Sequence, residues 1–275
     1  MSPDREWRRA LSSSFPKQHG AWSILIACFI LGTFVGGSFG LNGIVLLISI
    51  IFGYMARHAW NVGLRPSKDG KIRRGALGWS AFYSLIALGG GAYLVIVAGL
   101  WDILKFALLA LIVAVLTLIF SRQKREFTVG GEITGIMGLT LTAPAAEYVA
   151  SADLSLQTGG LYIMCLLFFA GSVYHVRYLV RSKKATQGPV GERMKHGYPS
   201  IRFHLLALAI VVLTSTVIPV LPPIAPLAFV PVTAKALLAV SHRYKKPPQV
   251  RQIGYREVGH TVIFMVIAAL AYYLG

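Results

Sequence analysis

Arg177 and Arg181 stand four residues apart in "YHVRYLVR", with Tyr174 and Tyr178 on the same helical stripe. Two guanidiniums stacked at this spacing repel each other unless an anion or a carboxylate sits between them. Such a pair is suited to phosphate or carboxylate, often in bidentate fashion. A second polar group lies in "RHAWNVGLR", where Arg57 and Asn61 are one turn apart, Arg65 follows four residues on, and His58 flanks them. Lys17 and His19, in "PKQHGAW", stand at the lip of an apolar run. In "GYREVGH", Glu257 and His260 share a helix face. That pair has the Glu-x-x-His spacing of carboxylate metal sites, but no second copy occurs in the chain. No metal site is assigned; Glu257 and His260 are instead the candidates for moving a proton. An ion pair from Glu257 to an arginine of another helix is the expected structural use.

These groups need elements to hold them. The 275 residues are 55% hydrophobic and only 13% charged, with a mean hydropathy of +0.64. Soluble domains carry about 25% charged residues. Repeated apolar runs of about 20 residues indicate a polytopic membrane protein. Nine spans are expected, at 19–38, 41–59, 76–98, 103–120, 130–150, 158–180, 201–219, 222–241 and 256–274. The fold class is therefore an all-α membrane helix bundle: residues 1–18 form a cytoplasmic segment and 19–275 a single transmembrane domain. The fifth and eighth runs contain Pro144, and Pro226 and Pro231, so breaks are expected where protein surrounds them.

A net charge of +17 on a soluble chain would suggest nucleic acid. Here the charge follows the connections instead. "RPSKDGKIRR", "SRQKREF", "RSKKATQGPVGERMKHG" and "SHRYKKPPQVRQIGYRE" follow the even-numbered spans, and of 27 lysines and arginines only Lys105 lies near the other set. The positive-inside rule makes the basic set cytoplasmic, with the N-terminus inside and the C-terminus outside. No nucleic-acid partner is expected, only membrane lipids and a ligand. Cys28 and Cys165 lie inside apolar runs without metal or disulfide spacing, and no cleaved signal peptide is read at the N-terminus.

The nine-span plan, with polar groups at the cytoplasmic ends of spans two and six, resembles the UbiA superfamily of intramembrane prenyltransferases. That resemblance implies a central cavity where Asp-rich motifs hold magnesium and a prenyl diphosphate. Asn61 matches the asparagine that opens the first motif, but the acidic positions after it fall on Val62 and Arg65. The aspartate pair of the second motif falls on Arg177 and Arg181. A closer resemblance is to the YwiC-like family of bacterial membrane proteins. It is carried by "PKQHGAW", the YxxRxxxR of span six and "IGYREVGH", and it implies a multi-pass protein of the bacterial plasma membrane.

Magnesium prefers carboxylate and water oxygens; without the aspartates it is a doubtful cofactor, and no other cofactor is assigned. The expected function is a cytoplasm-facing basic pocket for an anionic amphiphile, isoprenoid or lipid-like. The ligand set is Lys17, His19, Arg57, His58, Asn61, Arg65, Tyr174, Arg177, Tyr178, Arg181 and Glu257. The protein is then a divergent UbiA-like transferase or a binding protein. The alternatives are a small-anion transporter and a non-enzymatic quinone-, haem- or lipid-binding protein.

Overall fold

A computed structural model describes residues 19–64, 70–181, 186–242, 244 and 249–275, without the side chains of residues 19, 71, 72 and 181. The described residues form helices and contain no strand. In chain order they are α1 (His19–Val35), α2 (Leu41–Leu64), α3 (Gly70–Ala92), α4 (Ile103–Arg122), α5 (Val129–Thr140), α6 (Thr142–Ser151), α7 (Leu156–Arg181), α8 (Val190–Thr216), α9 (Val230–Ser241) and α10 (Val250–Leu274). A π-helical turn, Tyr93–Val97, continues α3, and a 3-10 turn, Ala225–Phe229, leads into α9.

Six of these, α2, α3 with its π turn, α4, α7, α8 and α10, are long and apolar enough to cross a membrane. Gly20–Val35 and Ala225–Ser241 are shorter apolar helices. The fifth expected span is two helices, α5 and α6. Pro144 has no N–H to offer the Thr140 carbonyl, and its ring would crowd that carbonyl; the break falls at Leu141 between them. The chain is a multi-pass membrane protein whose described residues form nine helical segments when α5 and α6 are counted as one. One boundary moves far: α8 begins at Val190, inside a segment expected to be a loop, with Glu192 in its first turn, where the helix dipole favours a carboxylate.

The connections collect at two ends. At one, the Ser38 hydroxyl donates to the Ala150 carbonyl at 2.6 Å, and the Asp102 N–H donates to the Tyr148 hydroxyl at 3.2 Å. The Tyr272 hydroxyl donates to Gln157 O at 3.5 Å, and Gly275 lies against Pro222. Lys105, at this end, is held by Asp102 at 2.7 Å. At the other end Arg177 of α7 reaches the Phe127 carbonyl beyond α4, and Arg193 of α8 reaches the end of α9.

The largest core joins α1, α7, α8, α10 and the 3-10 turn around Phe168, Phe229 and Phe264. Phe168 and Phe264 stack at 3.9 Å between centroids, and Phe229 meets Phe264 edge-on at 5.9 Å. Such pairs contribute about 1 kcal/mol each beyond burial. Helix α1 presses onto α6 through Gly32 and Gly36. A Cβ at Gly32 would overlap the Ala143 carbonyl oxygen, and one at Gly36 would lie 2.6 Å from Glu147 O. Helix α2 packs chiefly on α3, and α4 leaves Leu108, Leu111, Ile112 and Val115 exposed, as lipid-facing residues are.

Candidate functional site

The basic end holds a cleft of about 750 Å³ between the last turns of α7, the body of α9 and the first turns of α10. Its polar lining is His175, Lys235, Ser241, His242, Tyr244, Arg256, Glu257 and His260; its apolar lining includes Leu179, Pro231, Leu238 and Ile253. Lys235 comes from the middle of an apolar helix, where a charge is costly without a partner. Its ammonium donates to both oxygens of Glu257, at 2.9 and 3.0 Å. His175, only 4% exposed, brings Nε2 to 3.9 Å from the same carboxylate. Its Nδ1 has no hydrogen-bond partner among the described residues. His260 lies beside it, with Nδ1 against the Arg256 carbonyl at 2.7 Å. Arg256 is exposed at the rim.

The wall of the cleft is fixed by a buried arginine. Arg193 donates from Nε to Val240 O at 3.0 Å, from one terminal nitrogen to Ser241 O at 3.0 Å, and from the other to Gly188 O at 2.9 Å. The last carbonyls of α9 have no partner within their own helix, so Arg193 caps α9 and ties it to the start of α8. A residue that reads as loop charge in the sequence is thus part of the frame.

The residues singled out from the sequence divide. Glu257 and His260 line the cleft, and the partner of Glu257 is a lysine on α9 rather than an arginine. Tyr178 is buried against Leu179, Val240 and Ile253 behind the cleft wall, and its hydroxyl has no hydrogen-bond partner among the described residues. Tyr174 stacks on Phe203 of α8 at 4.6 Å. Arg177 turns the other way: Nε donates to Glu132 Oε2 at 2.8 Å, and a terminal nitrogen donates to Phe127 O at 2.5 Å. The shared stripe of Tyr174, Arg177 and Tyr178 is therefore divided among three neighbours, and Arg177 finds its carboxylate within the chain. Arg57, His58 and Asn61 lie half-buried on α2, which packs on α3; the Arg57 Nε has no hydrogen-bond partner among the described residues. Lys17, Arg65 and the side chains of His19 and Arg181 lie outside the described residues.

Four charged or imidazole residues of the cleft escaped the sequence reading: Lys235, His175, His242 and Arg256. Lys235 carried a usable signal, since it is a cation inside an apolar run. His175 carried none, because its neighbours on α9 and α10 are distant in the chain.

Residues 15–147 match one protein family. It is the YwiC-like family. The matched stretch contains "PKQHGAW", so the resemblance read from that motif is borne out, while the cleft residues lie beyond it. The chain is similar to the uncharacterized protein YwiC of Bacillus subtilis, 23% identical over 63% of this chain and 70% of the relative. It is also similar to an uncharacterized protein of Haemophilus influenzae, 22% identical over 92% of this chain and 96% of the relative. No solved structure gives a significant match.

Proposed function

We propose that the cleft between α7, α9 and α10 binds an anionic amphiphile, with the headgroup among Lys235, Arg256, His242 and His260 and the tail along the apolar wall. The observation that carries this reading is the composition of the cleft: one carboxylate, Glu257, faces a lysine, an arginine and three imidazoles beside an apolar wall. Glu257 is already engaged by Lys235, so an incoming anion meets Arg256 and the histidines and competes for Lys235. Arginine supplies the planar fork that matches phosphate or carboxylate. The donor set does not suit magnesium, which needs several free oxygens; the lone carboxylate is held by an ammonium. No metal-assisted transfer is therefore part of the reading. The positive-inside rule makes this end cytoplasmic and the C-terminus external, in the bacterial plasma membrane.

The test is thermal stability of the purified protein in detergent. A farnesyl diphosphate or anionic phospholipid probe should raise the melting temperature by several degrees at about 100 times Kd, the equivalent of about 2.7 kcal/mol. Arg256→Ala should lose most of that shift, and the matching neutral alcohol or lipid should give none. An equal shift from inorganic pyrophosphate alone would favour a small-anion transporter. No shift from any anionic probe, or equal shifts from neutral ones, would overturn the reading.

A further inference from the structure

At the end of the bundle opposite the cleft, Glu147 lies on α6 with only 7% of its surface exposed. Its Oε2 has no hydrogen-bond partner among the described residues, and its Oε1 lies 3.5 Å from the Ser151 hydroxyl, which also donates to Asp153 O at 3.1 Å. The Thr158 hydroxyl, itself buried, faces it from α7. No lysine, arginine or histidine among the described residues forms an ion pair with it. Lys105, the basic residue of this end, is taken by Asp102. Helix α1 leaves it no solvent on its own side, because Gly36 lets the α1 backbone close onto Glu147 O. The titratable groups that face it are Asp153, in the following connection, and Tyr272, from α10; neither supplies a positive charge.

A bare carboxylate enclosed in this way costs several kcal/mol. Two routes relieve that cost without rearranging the helices: a proton on the carboxyl, or a small cation coordinated by the carboxylate and neighbouring hydroxyls. The surroundings fit both. Ser151 and Thr158 bring hydroxyl oxygens that accept from a carboxylic O–H or ligate a hard cation. Ser151 is exposed one turn beyond Glu147, so the approach from solvent is short. The surroundings do not fit an anion, a divalent metal or an organic ligand, since there is one carboxylate and tight helix contact.

We propose that Glu147 is a binding site for a small monovalent cation, a proton or sodium ion, entered from the end of the bundle that lies away from the basic cleft. It is independent of the cleft and of what the cleft binds. It gives the protein two states that differ by one charge at a place where α1, α6 and α7 meet.

The experiment is infrared difference spectroscopy of wild type against Glu147→Gln in detergent, in sodium-free buffer at neutral pH. Wild type should show the carbonyl band of one neutral carboxylic acid that the variant lacks. Loss of that band on adding sodium chloride, but not potassium chloride, assigns sodium; its persistence assigns the proton. A carboxylate signal from Glu147 in sodium-free buffer overturns the proposal. If Glu147→Gln does not fold, wild type treated with a hydrophobic carbodiimide gives the same decision by peptide mapping. An adduct on Glu147 supports the site, and an unmodified Glu147 overturns it.

Discussion

Lys235 and Glu257 meet through two hydrogen bonds beside a buried histidine, whereas Glu147, at the other end of the bundle, is enclosed with no described cation. Both are acids held by apolar helices. The difference is in how charge is balanced. At the cleft the balance is internal, between α9 and α10, so the polar groups form part of the structure whether or not a ligand is present. At Glu147 no described residue supplies the balancing charge. A buried pair is strongly coupled to folding, because removing one member strands the other. A lone acid that carries a proton resembles its own amide and is weakly coupled.

The largest expected effect follows from the first half of this comparison. Lys235, whose side chain is 9% exposed, leaves Glu257 uncompensated when replaced by Met, which should cost about 3 kcal/mol of stability. The double change Lys235→Met, Glu257→Gln should recover most of it. Denaturation in detergent of the two singles and the double measures the coupling directly; an additive double mutant would show that the pair is not linked.

A smaller loss is expected at Arg177. Its pair with Glu132 is partly open to solvent, with side chains 17% and 31% exposed, so screening reduces its value. Arg177→Ala should cost about 1 kcal/mol, much of it from the lost donor to Phe127 O. A cost as large as that of Lys235→Met would place Arg177 in the same internally balanced class as the cleft.

The smallest effect is expected at Glu147. Glu147→Gln preserves shape and removes only the ability to exchange the cation, so stability in sodium-free buffer at neutral pH should change by less than about 1 kcal/mol. A destabilisation near 3 kcal/mol would break the comparison, since it would mean that Glu147 has a cationic partner within the chain.

Hydropathy and the distribution of basic residues were sufficient to read an all-helical membrane bundle of nine segments, because membrane insertion acts on composition over about 20 residues. The breaks at Pro144 and before α9 were legible for a similar reason, since a proline removes a backbone donor wherever it stands. The candidate site was legible only in part. Glu257 and His260 announced themselves by spacing on one helix, and the arginines of α7 by their density. What spacing cannot convey is rotation. Arg177 and Tyr178 are adjacent in the chain, yet one turns to Glu132 and the other to the wall behind the cleft.

Sequence alone thus determined the class of the protein, an all-helical multi-pass membrane chain, which depends on local composition. Tertiary structure alone decided which charges are paired. Lys235 meets Glu257 from 22 residues away and Arg177 meets Glu132 from 45, while Glu147 meets no described cation. The physical reason is that a charge inside a bundle is stabilised or stranded by whatever the neighbouring helix presents at the same depth, and that depends on helix packing and rotation rather than on order in the chain.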